Sequence, residues 1–234
     1  MTVQYFARLL VLAAFGVGLL APDCSAQQKK KASAKRPPNP ALAPIEDQPG
    51  LPRVLLIGDS ISVGYTIPVR EALVGKANVH RPQTNCGPTI RGVEQLDDWL
   101  GKGQWDVIHF NFGLHDLRVM PDGKEQVPLP DYEKNLRELV SRLKKTGAAL
   151  IWCATTPVPE TSTPVRKNDR VIAYNAAAKK IMDENQIRVD DLYSFALPQI
   201  KQIQLPNNVH FSPDGSQVLA QQVAKSVLEA LPKK

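Results

Sequence analysis

Residues 53–62 read RVLLIGDSIS, and this stretch decides how the chain folds. Its apolar run is long enough for a buried strand, and Gly58-Asp59 ends that strand in a turn. Ser60 lies on that turn, and a helical pattern follows it. Pro68 is expected at the first position of this helix, where proline is favoured. A strand that leads through a tight turn into a helix is the first half of a βα unit.

The same alternation continues from this stretch to the end of the chain, without an internal repeat. Strands that alternate with helices of ten or more residues predict βαβ units, a parallel sheet and right-handed crossovers. Ligands of such sheets gather at the carboxyl ends of the strands. The further strand-like runs are NVH, DVIHFNF, ALIWCA and IRVDDL, and the helix-like runs include VEQLDDWL, YEKNLRELVSRLKK, VIAYNAAAKKIMDENQ and GSQVLAQQVAKSVLEAL.

Reactive or polar residues follow several of these predicted strands. Ser60 follows the first strand, Gly87 the second, and His115 with Asp116 the third, while His210 stands in the loop before the last helix. Each alone is ordinary turn or surface chemistry. Together they combine a hydroxyl nucleophile, a base and backbone donors at one edge of the sheet, the set that acyl transfer needs.

With these four blocks in this order, residues 53–234 resemble the SGNH hydrolases, the GDSL-type esterases and lipases. The resemblance implies a flavodoxin-like three-layer α/β/α fold whose five-stranded parallel sheet has the order 2-1-3-4-5. It also implies ester hydrolysis through an acyl-enzyme, without a metal or organic cofactor. By position, Ser60 is the expected nucleophile and a donor to the oxyanion through its N–H, Gly87 the second donor and His210 the general base.

Two positions depart from the family pattern. The third block usually reads Gly-x-Asn-Asp with the asparagine as an oxyanion donor, and here His115 replaces it; a histidine can still donate an N–H. The last block usually reads Asp-x-x-His, and here Asn207 replaces the aspartate. Three orienters of the His210 ring stay open: Asn207 through its side-chain carbonyl, a backbone carbonyl, or Asp190 or Asp191 from the fifth strand end.

The first fifty-two residues have a different character. Residues 1–26 combine Arg8, an apolar run from Leu9 to Leu20 and small residues, which predicts an export signal; an N-terminal anchor helix that is never cleaved is the alternative. Residues 27–52 are rich in lysine and proline, and we interpret them as a disordered linker. The catalytic domain is therefore expected at residues 53–234.

The net charge of +6 does not indicate a nucleic-acid partner. Residues 1–50 hold six basic and three acidic residues, so half of the excess lies in that segment. The remaining excess is spread over a much longer stretch, and no nucleic-acid recognition motif accompanies it.

The sequence therefore predicts an exported serine esterase, periplasmic or extracellular, without stable membrane insertion. Its expected substrate is a small ester or an acylated carbohydrate. Arg91, Arg118 and Arg166 lie in or near the predicted loops above the sheet, where they could bind an anionic sugar or be solvated or paired. The alternative function is a catalytically silent SGNH-like domain that binds a glycan or a protein partner. The sequence leaves open the acyl group and the oligomeric state.

Overall fold

A five-stranded parallel sheet forms the centre of the protein, with the strand order β2-β1-β3-β4-β5. The computed structural model describes residues 1–2 and 39–232 of the chain. The strands are β1 (Arg53–Ile57), β2 (Asn78–His80), β3 (Val107–Phe110), β4 (Ala149–Cys153) and β5 (Arg188–Asp190). Both the predicted fold class and the predicted order 2-1-3-4-5 are confirmed.

Helices cover both faces of this sheet. Helices α1 and α7 pack against each other, whereas α2, α3 and α4 pack in sequence with one another. Strands buried on both faces have nearly continuous apolar sequences, as in β1 and β3. The helices are α1 (Ser60–Ala72), α2 (Thr89–Leu100), α3 (Leu129–Lys144), α4 (Asn168–Glu184), α5 (Leu192–Ala196), α6 (Ile200–Ile203) and α7 (Pro213–Ala230).

Helix α1 begins at Ser60, eight residues before the proline that was expected to start it. Asp59 caps the helix, because its side chain accepts a hydrogen bond from the Ile61 N–H at 2.8 Å. Pro68 lies inside the helix. The strong cap thus overrides the preference of proline for a helix start, and it places Ser60 in the first turn of α1 rather than before it.

The linker predicted at residues 27–52 extends too far at its C-terminal end. A 3₁₀ turn at Pro40–Leu42 lies against α1, where Arg70 donates hydrogen bonds to two carbonyl groups of this segment. The side chain of Asn78 accepts a hydrogen bond from the Gln48 N–H at 2.8 Å and donates one to the Gln48 carbonyl. Residues 39–52 therefore belong to the folded domain, because their backbone groups find partners on β2 and α1.

The export signal and the first part of the linker lie almost entirely outside the described residues, which resume at residue 39. Within the described ranges, no helix combines the length and the apolar character that crossing a membrane requires.

Candidate active site

The hydroxyl of Ser60 and the imidazole of His210 meet at the carboxyl edge of the sheet. The distance between Ser60 Oγ and His210 Nε2 is 2.9 Å, although 150 residues separate them in sequence. Ser60 lies in the first turn of α1, where backbone N–H groups lack acceptors within the helix and face an incoming oxygen. This arrangement can transfer the serine proton to the histidine while the oxygen attacks a carbonyl carbon.

A short hairpin-like loop between α6 and α7 holds His210 in place. The Leu205 N–H donates to the His210 carbonyl at 2.9 Å, and Gln204 and Phe211 form an antiparallel bridge. Ser212 then caps α7 by accepting a hydrogen bond from the Gly215 N–H. Backbone bonds on both sides of the exposed imidazole thus fix its position toward Ser60.

The side chain in contact with His210 Nδ1 is that of Asn208, and not that of Asn207, one of the three orienters left open by the sequence. The side-chain oxygen of Asn208 lies 2.7 Å from His210 Nδ1, and it also accepts a hydrogen bond from the His210 backbone N–H at 3.0 Å. Asn207 has a left-handed backbone (φ 55°), and its side chain accepts a hydrogen bond from the Thr161 hydroxyl instead. An amide oxygen at Nδ1 selects the tautomer in which Nε2 is free to accept the serine proton.

The two aspartates considered as alternative orienters are engaged elsewhere. Asp190 is buried, lies 3.0 Å from His109 Nε2, and accepts a hydrogen bond from Gln222. Asp191 caps α5 by accepting a hydrogen bond from the Ser194 N–H at 3.0 Å. Each carboxylate therefore has a structural partner other than the His210 ring.

One buried cluster offers side chains of the types that bind metals. His109, Cys153 and Asp190 have potential ligand atoms within 4.8 Å of one another. However, His109 and Asp190 already bond to each other, and burial raises the pKa of the Cys153 thiol well above its ordinary value. A neutral thiol beside an internally bonded pair is a poor ligand set for a metal ion.

The predicted oxyanion donors lie on the first three strand ends, and one of them already has an acceptor. Gly87 adopts φ +66°, which favours glycine, and its N–H donates to the side-chain oxygen of Asn85 at 2.9 Å. A substrate oxyanion would have to displace this oxygen to use the Gly87 N–H. The Ser60 N–H belongs to the first turn of α1 and has no acceptor within that helix.

His115 lies in the turn after β3, within the electrostatic reach of His210. Burial is the largest cause that lowers the pKa of His115 below its ordinary value. Asp59 opposes this effect, while the guanidinium groups of Arg166 and Arg118 and the His210 imidazole reinforce it. A neutral His115 can donate one ring N–H, as the predicted oxyanion role requires.

Asp116 joins the second and third strand-end loops. Its Oδ1 accepts hydrogen bonds from both the backbone N–H of Thr89, at 2.8 Å, and the Thr89 hydroxyl, at 2.5 Å. Thr89 is the first residue of α2 and closely follows Gly87. Burial raises the pKa of Asp116 to about 6, although the hydrogen bonds from Thr89 act in the opposite direction.

Arg81 is a positioning residue that the sequence analysis missed. Its buried guanidinium donates to the hydroxyl groups of Ser62 and Thr66 on α1, at 3.0 and 2.9 Å. It also donates to the carbonyls of Gly58 and Thr84, both at 3.2 Å. One buried cation thus ties the turn that carries Ser60 to the loop that leads to Gly87.

An open groove of about 480 Å³ borders the loop that carries His210. Its walls come from the segment after β4 and from the region of α6, and they mix apolar and polar side chains. The lining residues are Pro157, Val158, Pro159, Glu160, Asn168, Leu197, Ile200, Lys201, Gln204, Leu205, Pro206 and Asn207. The groove thus adjoins the loop that carries His210, although neither Ser60 nor His210 is among its lining residues.

Residues 56–218 match the GDSL-like lipase/acylhydrolase family, a stretch that includes Ser60, Gly87, His115 and His210. The chain belongs to this family. Among curated relatives, GDSL esterase/lipase At5g45920 of Arabidopsis thaliana is 32% identical over 143 residues, which is 50% of this chain and 56% of the relative. The chain therefore spans just over half the length of that protein.

A second Arabidopsis relative of the GDSL-like lipase/acylhydrolases and two solved structures extend the comparison. GDSL esterase/lipase CPRD49 is 23% identical over 78% of this chain and 81% of its own length. A lipase/acylhydrolase from Enterococcus faecalis has a TM-score of 0.67 at 18% identity, covering 79% of this chain and 99% of that one. The acetyl xylan esterase AlAXEase has a TM-score of 0.65 at 17% identity, covering 75% and 99%. These two structures establish the shared fold.

Proposed function

We propose that this protein is an exported serine esterase that hydrolyses carboxylic esters through an acyl-enzyme at Ser60. The observation that carries the proposal is the 2.9 Å contact between Ser60 Oγ and His210 Nε2, with Asn208 at the opposite ring nitrogen. Membership of the GDSL-like lipase/acylhydrolase family supports the same reaction class.

In the proposed reaction, His210 removes the proton of Ser60 while Oγ forms a bond to the ester carbonyl carbon. The Ser60 N–H, the Gly87 N–H and His115 hold the developing oxyanion, once Asn85 has turned away from Gly87. His210 then gives the proton to the departing alcohol. In the second half, His210 activates a water molecule that cleaves the acyl-serine and regenerates the free enzyme.

Small acyl groups on carbohydrate are the substrates that we favour. Two considerations support this choice: structural neighbours include acetyl xylan esterases, and the groove beside His210 is open to solvent rather than enclosed. Export is supported by the sequence pattern of residues 1–26, and it would bring the enzyme to extracellular or periplasmic polysaccharide.

The decisive experiment measures p-nitrophenyl acetate hydrolysis by the full-length protein and its variants. We expect turnover by the wild type, its loss in Ser60→Ala, and full activity in Ser141→Ala, which removes an exposed hydroxyl on α3. A fluorophosphonate probe should label Ser60, located by peptide mapping. Equal rates in wild type and Ser60→Ala, or labelling at another serine, would favour the silent binding domain instead.

A further inference from the structure

Two arginines flank the turn that carries His115. The backbone N–H of Arg118 donates to the His115 carbonyl at 3.3 Å, and the side chain of Arg166 donates to the Leu114 carbonyl at 2.6 Å. A hydrogen bond of 3.0 Å from the Val119 N–H to the Val165 carbonyl links the segments next to these arginines. Both arginines thus belong to one short stretch of the active-site edge.

These two arginines have no acidic partner in the described part of the chain. Five arginines elsewhere each have a carboxylate within ion-pair distance: Arg53, Arg137, Arg142, Arg170 and Arg188. Glu125 lies opposite Val119, next to Arg118, but it pairs with Arg170 at 2.7 Å. Arg70, Arg81 and Arg91 also lack a carboxylate, but their side chains donate to other oxygens of the fold. Among the described arginines, Arg118 alone has neither a carboxylate nor another hydrogen-bond acceptor for its side chain.

Arg118 in particular lacks hydrogen-bond acceptors. Its Nε is shielded from solvent and has no acceptor among residues 39–232. The residue as a whole is half-buried rather than fully enclosed. Arg166, by contrast, is 5% exposed and uses Nε and Nη1 on the carbonyls of Leu114 and Pro164. Arg166 therefore holds the turn and adds charge, whereas Arg118 is free to bind.

The local charge balance also favours an anion. Asp59 is the carboxylate that acts on both Arg166 and His115, and it is already used as the cap of α1. Asp59 therefore offsets the charge of Arg166, whereas no carboxylate among residues 39–232 lies within ion-pair distance of Arg118. Unpaired arginines in a partly desolvated site bind carboxylates strongly, because the planar guanidinium matches two carboxylate oxygens.

We propose that Arg118, supported by Arg166, forms an anion subsite beside Ser60 that binds a carboxylate on the sugar part of the ester. The preferred substrate is accordingly an O-acylated uronic acid rather than an O-acylated neutral sugar. This inference rests on the proposed function, since it names the substrate class of the same site.

The test compares kcat/KM for O-acetyl-glucuronate and O-acetyl-glucose with the full-length protein. We expect the wild type to prefer the acidic sugar by about tenfold or more. In Arg118→Gln this preference should fall about tenfold, mainly through KM, and Arg118→Lys should recover part of it. Added NaCl should also reduce the preference in the wild type. Arg137→Gln, which removes a paired surface charge on α3, should leave it unchanged.

Equal kcat/KM for the two sugars in the wild type, or the same ratio in Arg118→Gln and Arg137→Gln, would overturn the subsite while leaving the esterase intact. Binding to the Ser60→Ala protein separates the two proposals. Calorimetry should show that glucuronate binds more tightly than glucose and that Arg118→Gln removes the difference. If no ester is hydrolysed, this binding result alone decides the subsite: no difference in affinity would refute it.

Discussion

Two of the four histidines in the protein have very different partners. His210 is exposed, and its two ring nitrogens contact a serine hydroxyl and an asparagine oxygen. His109 lies in the middle of β3, is completely buried, and bonds to the carboxylate of Asp190. A histidine–aspartate pair is the arrangement usually associated with catalysis, yet here it lies within the core.

The difference shows that a carboxylate partner alone does not make a catalytic histidine. Asp190 is held by Gln222 as well as His109, so this pair satisfies the buried carboxylate at the sheet's end, although His109 Nδ1 has no partner among the described residues. His210 has a weaker, neutral partner, but it has the nucleophile at hydrogen-bond distance and access to solvent. Position relative to Ser60 therefore assigns the base, and the partner only tunes it.

The largest expected effect separates the two histidines by activity and stability. His210→Gln should lower kcat/KM for p-nitrophenyl acetate about 10²–10⁴-fold, because the general base is lost, with little change in Tm. His109→Leu should cost about 2–4 kcal/mol of unfolding free energy, since Asp190 loses a buried partner. Its kcat/KM per folded molecule should stay within a few-fold of the wild type.

The measurements are ester kinetics and urea unfolding on the same preparations. Asp190→Asn provides a milder lesion if His109→Leu does not fold, and it should also lower stability more than activity. A His109 variant that stays fully stable while losing catalysis would reverse the assignment of the two histidines.

Asp116 sharpens the comparison, because it is a buried carboxylate whose partners are a hydroxyl and an amide rather than an imidazole. Its pKa is raised from the model-compound value of 3.8 to about 6, so the folded state binds a proton that the unfolded state has released. Stability should therefore fall as the pH rises from about 4 to about 6, by about 3 kcal/mol for a shift of about two pH units.

Urea unfolding of wild type and Asp116→Asn across this pH range checks the expectation. The variant has no ionisation at this position, so the wild type should lose stability relative to it as the pH rises. The remaining ionisable groups are common to both proteins and cancel in the difference. Parallel stability curves would show that Asp116 does not titrate in this range.

Much of the fold could be predicted from the sequence because its signals are local. Apolar runs that end in Gly58 and precede amphipathic helices define the βα units, and the strand order follows from the family pattern. The start of α1 was missed because the capping of Asp59 onto the Ile61 N–H outweighs the preference of Pro68. Residues 39–52 were missed because their partners, such as Asn78 and Arg70, are distant in sequence.

Site residues whose role follows from their residue type could be predicted from the sequence. Those whose role depends on the direction of the backbone could not. Ser60 and His210 could be found from their blocks. The choice between Asn207 and Asn208 could not, because the left-handed φ of Asn207 turns its side chain toward Thr161. Arg81 resembles a solvated arginine after a short strand, and only its five acceptors in the folded state show its burial.

A carboxylate next to Nδ1 of His210 would give this histidine the kind of partner that His109 has in Asp190. Asn208→Asp should raise the plateau of kcat/KM about tenfold, because a negative charge 2.7 Å from Nδ1 stabilises the imidazolium that forms when the serine proton is transferred. Asn207→Asp is the matched control, and its exposed side chain next to Thr161 should leave kcat/KM unchanged. Identical kcat/KM values for the two variants would remove Asn208 from its role.

The smallest expected effect concerns His115, the third histidine of the comparison. Among the described residues, no carboxylate lies within ion-pair distance of its ring. Burial and the neighbouring cations lower the pKa of His115 below its ordinary value. A proton taken up by His115 at low pH adds a positive charge near the reacting atoms, and a variant without an ionisable group at this position lacks that charge. His115→Asn keeps an N–H donor for the oxyanion, so we expect a plateau within a few-fold of the wild type and an acid limb of changed shape. The measurement is kcat/KM from acid to neutral pH for both proteins. A limb of unchanged shape would mean that His115 does not titrate near the reacting atoms, and the donor role would then rest on the plateau alone.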